Sequence, residues 1–357
     1  MLTPASLDEV IDIFRAGGRF EIRGGGSKAG IGAPREATLV GTGGFTGVVD
    51  YDPPELVLTV RAGTPLAEVQ ALVASQNQML AFEPFDHGPL FGRPAGAATI
   101  GGVVAAGVSG SQRLGLGSAR DHLLGFTAVS GRGERFIGGA RVVKNVTGYD
   151  LPKVMAGSWG RLGLITELTL KVLPAPRVRA TLLVEGQDIA TAMATMAAAL
   201  RAPLEVVAAA HLPNIGTGLR LQGFGPSVEA RAAQLPGRRL SEAEADAFWT
   251  AALPSFDARP LWRVHGPIKA DPAIVTALPE MEARLDWAGG LIWLAGEGDV
   301  RAVAAANGAQ AMLVRAPEAM RAATPYEPPQ ASAVAALSER VRRAFDPAGI
   351  FETGRFG

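Results

Sequence analysis

Three clusters of residues could do chemistry. The first is Ile22-Arg23-Gly24-Gly25-Gly26-Ser27-Lys28. A β-like run enters three glycines, then a hydroxyl and a cation. Consecutive glycines let backbone N–H groups converge on an anion with no Cβ in the way, and Ser27 and Lys28 add donors. A pyrophosphate needs such a cradle, and a plain flexible turn also fits the same residues. No Gly-Lys pair occurs, so this is not a Walker A loop. Gly24-x-Gly26-x-x-Ala29 formally matches the Rossmann dinucleotide fingerprint. However, Gly30, Gly32 and Pro34 stand where its helix should begin, and Gly and Pro are the poorest helix residues.

The second cluster is Thr99-Ile100-Gly101-Gly102-Val103-Val104-Ala105-Ala106-Gly107, continued by Ser109, Gly110 and Leu116-Gly117-Ser118-Ala119-Arg120-Asp121. Such small residues let backbone approach a bulky flat ligand, or pack as a tight Ala/Gly helix. The third is Val143-Lys144-Asn145-Val146-Thr147-Gly148-Tyr149-Asp150-Leu151, then Gly157-Ser158-Trp159-Gly160-Arg161-Leu162-Gly163-Leu164-Ile165-Thr166-Glu167.

The chain that carries these clusters has 357 residues, 34 basic and 34 acidic, for a formal net charge of zero. A nucleic-acid binder needs a basic excess, and a polybasic membrane anchor needs the same. With 48% hydrophobic and 19% charged residues, the composition is that of a folded protein. There is no cysteine, which excludes disulfides, thiolate metal sites and any iron–sulfur cluster ligated by this chain. It fits a reducing compartment, and a cytoplasmic location is expected. His87, His122, His211 and His265 are scattered and form no HExxH, so no metal site is expected. The N-terminus lacks a secretory pattern, and no apolar run reaches bilayer length.

Thirty of the 45 glycines lie in residues 1–171. The second half is richer in alanine and more helical in pattern. Pro174 and Pro176 mark a linker over 173–178. Ser6-x-x-Glu9 predicts a capping box and a helix with Leu7, Val10, Ile11 and Phe14 on its apolar face. Strands are predicted over 20–23, 56–61 and 165–173, and a hairpin over 123–137. Thr64 is expected to cap a helix starting at Pro65. In the second half the pattern predicts strands over 181–185, 204–211, 219–224, 261–265, 291–295 and 312–315. Helices are expected over 189–200, 272–285 and 300–307, with N-caps at Ser227 and Ser241. Residues 317–331 read as a Pro-rich connector, and 334–345 as a last helix. Without strict βαβ alternation the fold class is α+β, its second half an antiparallel sheet with helices on a face.

The three clusters, in this order and spacing, resemble the FAD-binding domain of the vanillyl-alcohol oxidase / p-cresol methylhydroxylase flavoproteins. The run KNVTGYDL, the run GRLGLITELTLK and the ending Phe345-Asp346-Pro347-Ala348-Gly349-Ile350-Phe351 are most similar to the FAD-binding subunits of bacterial glycolate oxidases. The resemblance implies a two-subdomain PCMH-type FAD-binding domain over 1–175 and a smaller antiparallel-sheet α+β cap domain over 178–330. A C-terminal helix and tail, 331–357, would return to the FAD domain. It implies FAD on Gly24, Gly25, Gly26, Ser27, Lys28, Thr99, Gly101, Gly102, Ser109, Gly110, Gly160, Gly163 and Ile165. Some relatives attach flavin through a histidine in the first loop. Ser27 stands there and no cysteine is available, so the FAD should be non-covalent. Glu352-Thr353-Gly354 stands where many relatives have Asn-Pro-Gly near the flavin.

The resemblance further implies oxidation of a small 2-hydroxy acid, glycolate to glyoxylate, with electrons passed onward. The implied partners are a larger FAD-containing catalytic subunit and an iron–sulfur subunit, which could hold the chain peripherally at the inner membrane. Two other readings stay open: a self-sufficient FAD-dependent dehydrogenase of another hydroxy acid, and a non-catalytic FAD-containing scaffold. The reaction needs a cation for the carboxylate and a base for the hydroxyl proton. On one strand Arg263 and His265 share a face, and on another Arg220 and Gln222 do. Either pair could face a flavin, or a solvated sheet face. His87 and His122 lie near the FAD clusters, and no catalytic residue is singled out. If the first glycine cluster holds pyrophosphate, Gly25→Asp should purify folded but colourless.

Overall fold

Residues 1–140, 148–268 and 271–356 are described by the computed structural model. Residues 143–147, the start of the third cluster, lie outside them. The chain opens with the helix Leu7–Arg15. Ser6 is its N-cap, and the Ser6 hydroxyl accepts from the Glu9 amide. Two short strands, β1 (Phe20–Arg23) and β2 (Thr38–Gly41), pair in parallel. Val10, Phe14 and Phe20 are buried with Ile350 and Phe351 of the C-terminal tail. The tail is fixed there by the Phe20 amide donating to the Ile350 carbonyl (2.7 Å) and by Phe351 packing edge-on against Phe14.

An antiparallel five-stranded sheet follows. It is built from β3 (Val48–Asp52), β4 (Val57–Arg61), β6 (Leu123–Val129), β7 (Arg135–Gly139) and β8 (Leu164–Lys171), in the order β3-β4-β8-β6-β7. A separate two-stranded pair joins β5 (Gln78–Met79) to β9 (Leu173–Pro174), so the strand expected over 165–173 divides between two sheets. The helices Leu66–Ser75 and Ile100–Ala106 cover the five-stranded sheet, with Val69, Ile100, Val103, Leu168 and Leu170 in one core. Thr64 does not cap the first of these. Its hydroxyl donates to the Arg61 carbonyl and accepts from the Gly47 amide, so the helix begins after Pro65 with no side-chain cap.

From residue 178 an eight-stranded antiparallel sheet takes over. Its strands are β10 (Val178–Val184), β11 (Ala208–Leu212), β12 (Gly216–Gly223), β13 (Arg238–Arg239), β14 (Leu261–His265), β15 (Glu282–Asp286), β16 (Leu291–Ala295) and β17 (Gln310–Arg315). They run in the order β13-β10-β12-β11-β15-β16-β14-β17. Met193 and Met196 of the helix Ile189–Arg201 are buried against Leu219, Ile292 and Leu294 on this sheet. Each fully buried side chain of this size contributes about 1.5–3 kcal/mol.

Ser241 caps the helix Glu242–Ala252 with a full capping box. Ser227 caps nothing: the helix Gly225–Ala232 starts earlier, with Pro226 in its first turn. The long helix expected over 272–285 is instead a short one, Asp271–Thr276, followed by β15. Pro279 cannot continue the helix. In β15 Ala283 and Leu285 turn into the core while Glu282 and Arg284 are only partly covered, a period of two hidden in a short run. Residues 317–331 contain the helix Glu318–Ala323, and the last helix is Ser332–Phe345.

Candidate functional site

The β1 strand delivers its last residues into a cleft. The cleft is walled by residues 21–29, by Thr99, Gly101, Gly102, Ala105 and Ala106, and by Trp159, Gly160, Gly163 and Ile165. Thr42, Ala62 and Arg355 complete it. Eleven of the expected cofactor residues therefore meet in one place: Gly24, Gly25, Gly26, Ser27, Lys28, Thr99, Gly101, Gly102, Gly160, Gly163 and Ile165.

The other two do not reach it. The helix Ile100–Ala106 ends at Gly107 in the left-handed conformation, and the chain turns away. Ser109 lines a different cavity, where its hydroxyl accepts from the Ala119 amide. The Gly110 carbonyl is bound by the Trp287 indole at 2.9 Å.

The cleft is rich in unsatisfied donors. Among the described residues, the backbone N–H groups of Gly25, Gly26, Ser27 and Lys28 have no protein acceptor. The Arg23 Nε and the Thr42 hydroxyl are buried without partners. Glu21 Oε1 accepts from Arg23 (2.8 Å) and from Arg355 (2.7 Å). Arg355 also donates to the carbonyls of Ile31 and Lys28. Three cations thus stand against one carboxylate. Burial pushes the Lys28 amine down to about 8, only partly offset by the charge of Asp86. A buried orphan donor is costly unless something outside the chain fills it. A diphosphate, with acceptor oxygens and negative charge, is the complement this donor set lacks.

The glycines do more than clear space for a ligand. A Cβ on Gly25 would stand 1.5 Å from the Ala97 carbonyl oxygen, and one on Gly101 would stand 2.6 Å from that of Ala62. These two hold loop against loop. The Thr99 hydroxyl accepts from the Gly102 amide as the N-cap of its helix. The second cluster is therefore both the small-residue helix and a wall of the cleft.

Behind Ala106 and Trp159, which line both spaces, lies a second cavity. His87, Arg113, Arg263 and Tyr326 face it. The His87 imidazole is held well below its usual range by burial and by the charges of Lys28 and Arg263, and its Nδ1 is buried without a partner. Burial pushes the Tyr326 phenol up to about 12.

Of the pairs expected on strand faces, Arg263 reaches this cavity, whereas His265 sits exposed at the strand end, edge-on to Trp287. Arg220 is spent structurally: it pairs with Glu83 at 2.5 Å and lies over Trp249. Gln222 lies away from both spaces. His122 is held between the Leu116 and Lys171 carbonyls and reaches neither space. Glu352 is taken by Arg161, which holds both carboxylate oxygens, and the tail enters the cleft through Arg355 instead. Sequence reasoning did not single out Arg355, Glu21, Thr42, Arg113 or Tyr326. Arg355 and Tyr326 are brought to the site from far along the chain, and Glu21, Thr42 and Arg113 are single polar residues with no local pattern to mark them.

Among the described residues no group of three or more His, Asp or Glu could hold a metal, and no helix is long and apolar enough to cross a membrane.

Residues 1–137 match the FAD binding domain family. The chain is 35% identical over 342 residues to glycolate oxidase subunit GlcE of Escherichia coli (strain K12), covering 94% of this chain and 91% of that protein. It is 32% identical over 186 residues to a D-lactate dehydrogenase of Anaerostipes hadrus, and spans only 36% of that longer relative. Glycolate oxidase subunit GlcD of Bacillus subtilis (strain 168) is 29% identical over 166 residues, 32% of its length. In fold, the chain matches alkyldihydroxyacetonephosphate synthase with a TM-score of 0.65 at 13% identity, over 98% of this chain and 76% of that one. The chain carries an FAD binding domain and belongs to the family of glycolate oxidase subunit GlcE, among the FAD-dependent oxidoreductases.

Proposed function

We propose that this chain is the FAD-binding subunit of a glycolate-oxidase-like complex, in which glycolate is oxidised to glyoxylate and the electrons leave through partner chains. The observation that carries this reading is the cleft, where four free backbone amides, two orphaned side-chain donors and an excess of cations converge. When bound, FAD would supply the two-electron acceptor. The residues of this chain would bind and orient it. Gly25 to Lys28 would hold the pyrophosphate, with Arg23, Lys28 and Arg355 balancing its charge. Gly101, Gly102, Gly160, Gly163 and Ile165 would flank the rest of the cofactor. No histidine or cysteine lines the cleft, which supports a non-covalent cofactor.

The division we propose is an FAD domain over 1–175, a cap over 178–330 and a returning tail over 331–357. The five-stranded and eight-stranded sheets, which share no strand, support it. Because the chain has no cysteine, a cluster for electron exit would stand on another subunit. A larger flavin subunit and an iron–sulfur subunit are the partners proposed, with a cytoplasmic location and membrane attachment through them.

The test is reconstitution of the complex with wild-type chain or with the Arg23→Met, Lys28→Met double variant. The variant should assemble without its flavin, and glycolate-dependent reduction of an artificial acceptor should fall with it. Full activity from a complex whose copy of this chain holds no flavin would leave a scaffold, not a redox subunit.

A further inference from the structure

The second cavity holds two guanidinium groups that, among the described residues, have no ion-pair partner. Arg113 lies with Cζ 4.3 Å from the centre of the Trp287 ring, and Arg263 with Cζ 5.0 Å from it. Among the described residues neither guanidinium donates a hydrogen bond or forms an ion pair; the indole is their shared contact. Asp121, whose charge reaches Arg113, accepts at Oδ2 from the Ser118 amide and hydroxyl. Glu327 also lines the cavity, and its nearest cation is Arg161 at 4.0 Å. Arg263 is partly buried, and desolvation and the like charge of Arg113 both press on its cationic form, pushing it down to about 10. Two like charges on one ring are unfavourable in a half-dry cavity unless an anion joins them. An indole face returns only about 0.5–2 kcal/mol per cation.

The platform itself is strained. Trp287 and Ala288, in the turn between β15 and β16, are both left-handed at φ 52°. Such residues cost about 1–3 kcal/mol each and gather at functional sites. The turn is held by the Asp286 carboxylate, which accepts from the Trp287 amide (2.7 Å) and from the Ser111 hydroxyl (2.8 Å). The indole N–H is held by the Gly110 carbonyl. The ring that positions both arginines is therefore locked by Asp286 at the end of β15 and by the loop that carries Gly110 and Ser111.

We propose that Arg113 and Arg263, carried on Trp287, form a site for the carboxylate of a small organic acid, next to the cofactor cleft. Guanidinium forks match a carboxylate in geometry as well as charge. Ala106 and Trp159, which wall both spaces, would bring an acid held there alongside the cofactor. This site rests on the cofactor reading for its role but not for its existence.

The probe is oxalate, a two-carbon dicarboxylate with no hydroxyl to oxidise. It is titrated into the purified chain with and without FAD, and read by tryptophan fluorescence and by the flavin spectrum. Wild type should show a saturable change in both. Arg113→Met and Arg263→Met should each weaken binding at least about tenfold while retaining FAD. Arg113→Lys and Arg263→Lys, which keep charge and lose the fork, should fall between. If the methionine variants do not fold, the lysine pair gives the reading. Oxalate affinity unchanged in the folded variants, or no saturable change in wild type, overturns the site. A wild-type chain that binds oxalate but never FAD would overturn the cofactor reading and leave the site standing.

Discussion

The Arg355 guanidinium, from the C-terminal tail, donates to the Glu21 carboxylate at 2.7 Å, on the strand that leads into the glycine loop. Both side chains are nearly buried. Residues 334 positions apart thus meet at the mouth of the cleft, and the tail becomes part of the wall that the loop presents to its ligand. A charged hydrogen bond of this kind contributes about 1.5–3 kcal/mol. Arg355→Met should lower FAD affinity roughly tenfold or more and lower the melting temperature of the apoprotein. Fluorescence titration of FAD checks the first and thermal unfolding the second. Unchanged FAD affinity would remove the tail from the site.

Lys28 ties the cleft to pH. Its folded-state value of about 8 lies below the ordinary 10.5. Between those values the unfolded chain binds the proton and the folded chain does not, so apoprotein stability should rise with pH across that window. Below pH 8 the cost of burying the charge is fully present. An anionic ligand favours the charged amine, so FAD affinity should weaken as pH rises past 8. In Lys28→Met both slopes should flatten. A wild-type FAD affinity that is level from pH 7 to 10 would contradict this assignment.

The glycines can be separated by what each one touches. At Gly25 a Cβ meets the Ala97 carbonyl at 1.5 Å, whereas at Gly26, with φ at 78°, the nearest atom is Arg23 Cδ at 3.7 Å. Gly25→Ala should therefore displace the 97–99 segment, destabilise the fold by several kcal/mol and abolish FAD binding. Gly26→Ala should cost about 1 kcal/mol in stability and keep most of its flavin. For the same reason Gly25→Asp should not purify as a folded, colourless protein, and the side-chain donors are the cleaner test. Equal melting temperatures for the two alanine variants would contradict the packing role of Gly25.

Burial pushes the Asp286 carboxyl up to about 6, against its hydrogen bonds from Trp287 and Ser111, which favour the charged form. The folded state therefore holds a proton between about pH 4 and 6 that the unfolded state releases. Stability should fall as pH rises through that window. Asp286→Asn keeps an acceptor for the Trp287 amide and a partner for Ser111. It should abolish the slope and raise stability at pH 7 by about 2 kcal/mol. Thermal unfolding from pH 4 to 8 is the check, and an unchanged slope in the variant would contradict it.

The loops were legible because glycine, hydroxyl and cation in tight succession are local information. So were the hairpin 123–137, the strand 261–265 and the Ser241 cap. The missing parts depend on distance along the chain. Glu282 to Asp286 reads as the end of a helix until β11 and β16 are placed on either side of it. Thr64 has the residue type of a cap, yet Gly47 claims its hydroxyl. Arg113 stands in a run of small residues and Arg263 lies 150 positions later. Only the fold sets them on one indole. Nothing local distinguishes Arg355, which pairs with Glu21, from Arg343, which lies exposed beside Glu339.

The most direct test is the visible spectrum of the purified chain, incubated with FAD, desalted, and then reduced anaerobically with dithionite. The cleft predicts a protein-bound flavin spectrum that bleaches on reduction, and flavin that is released intact when the protein is denatured. A colourless protein after incubation with FAD, while Arg23→Met and Lys28→Met behave like wild type, would contradict the assignment of the cleft.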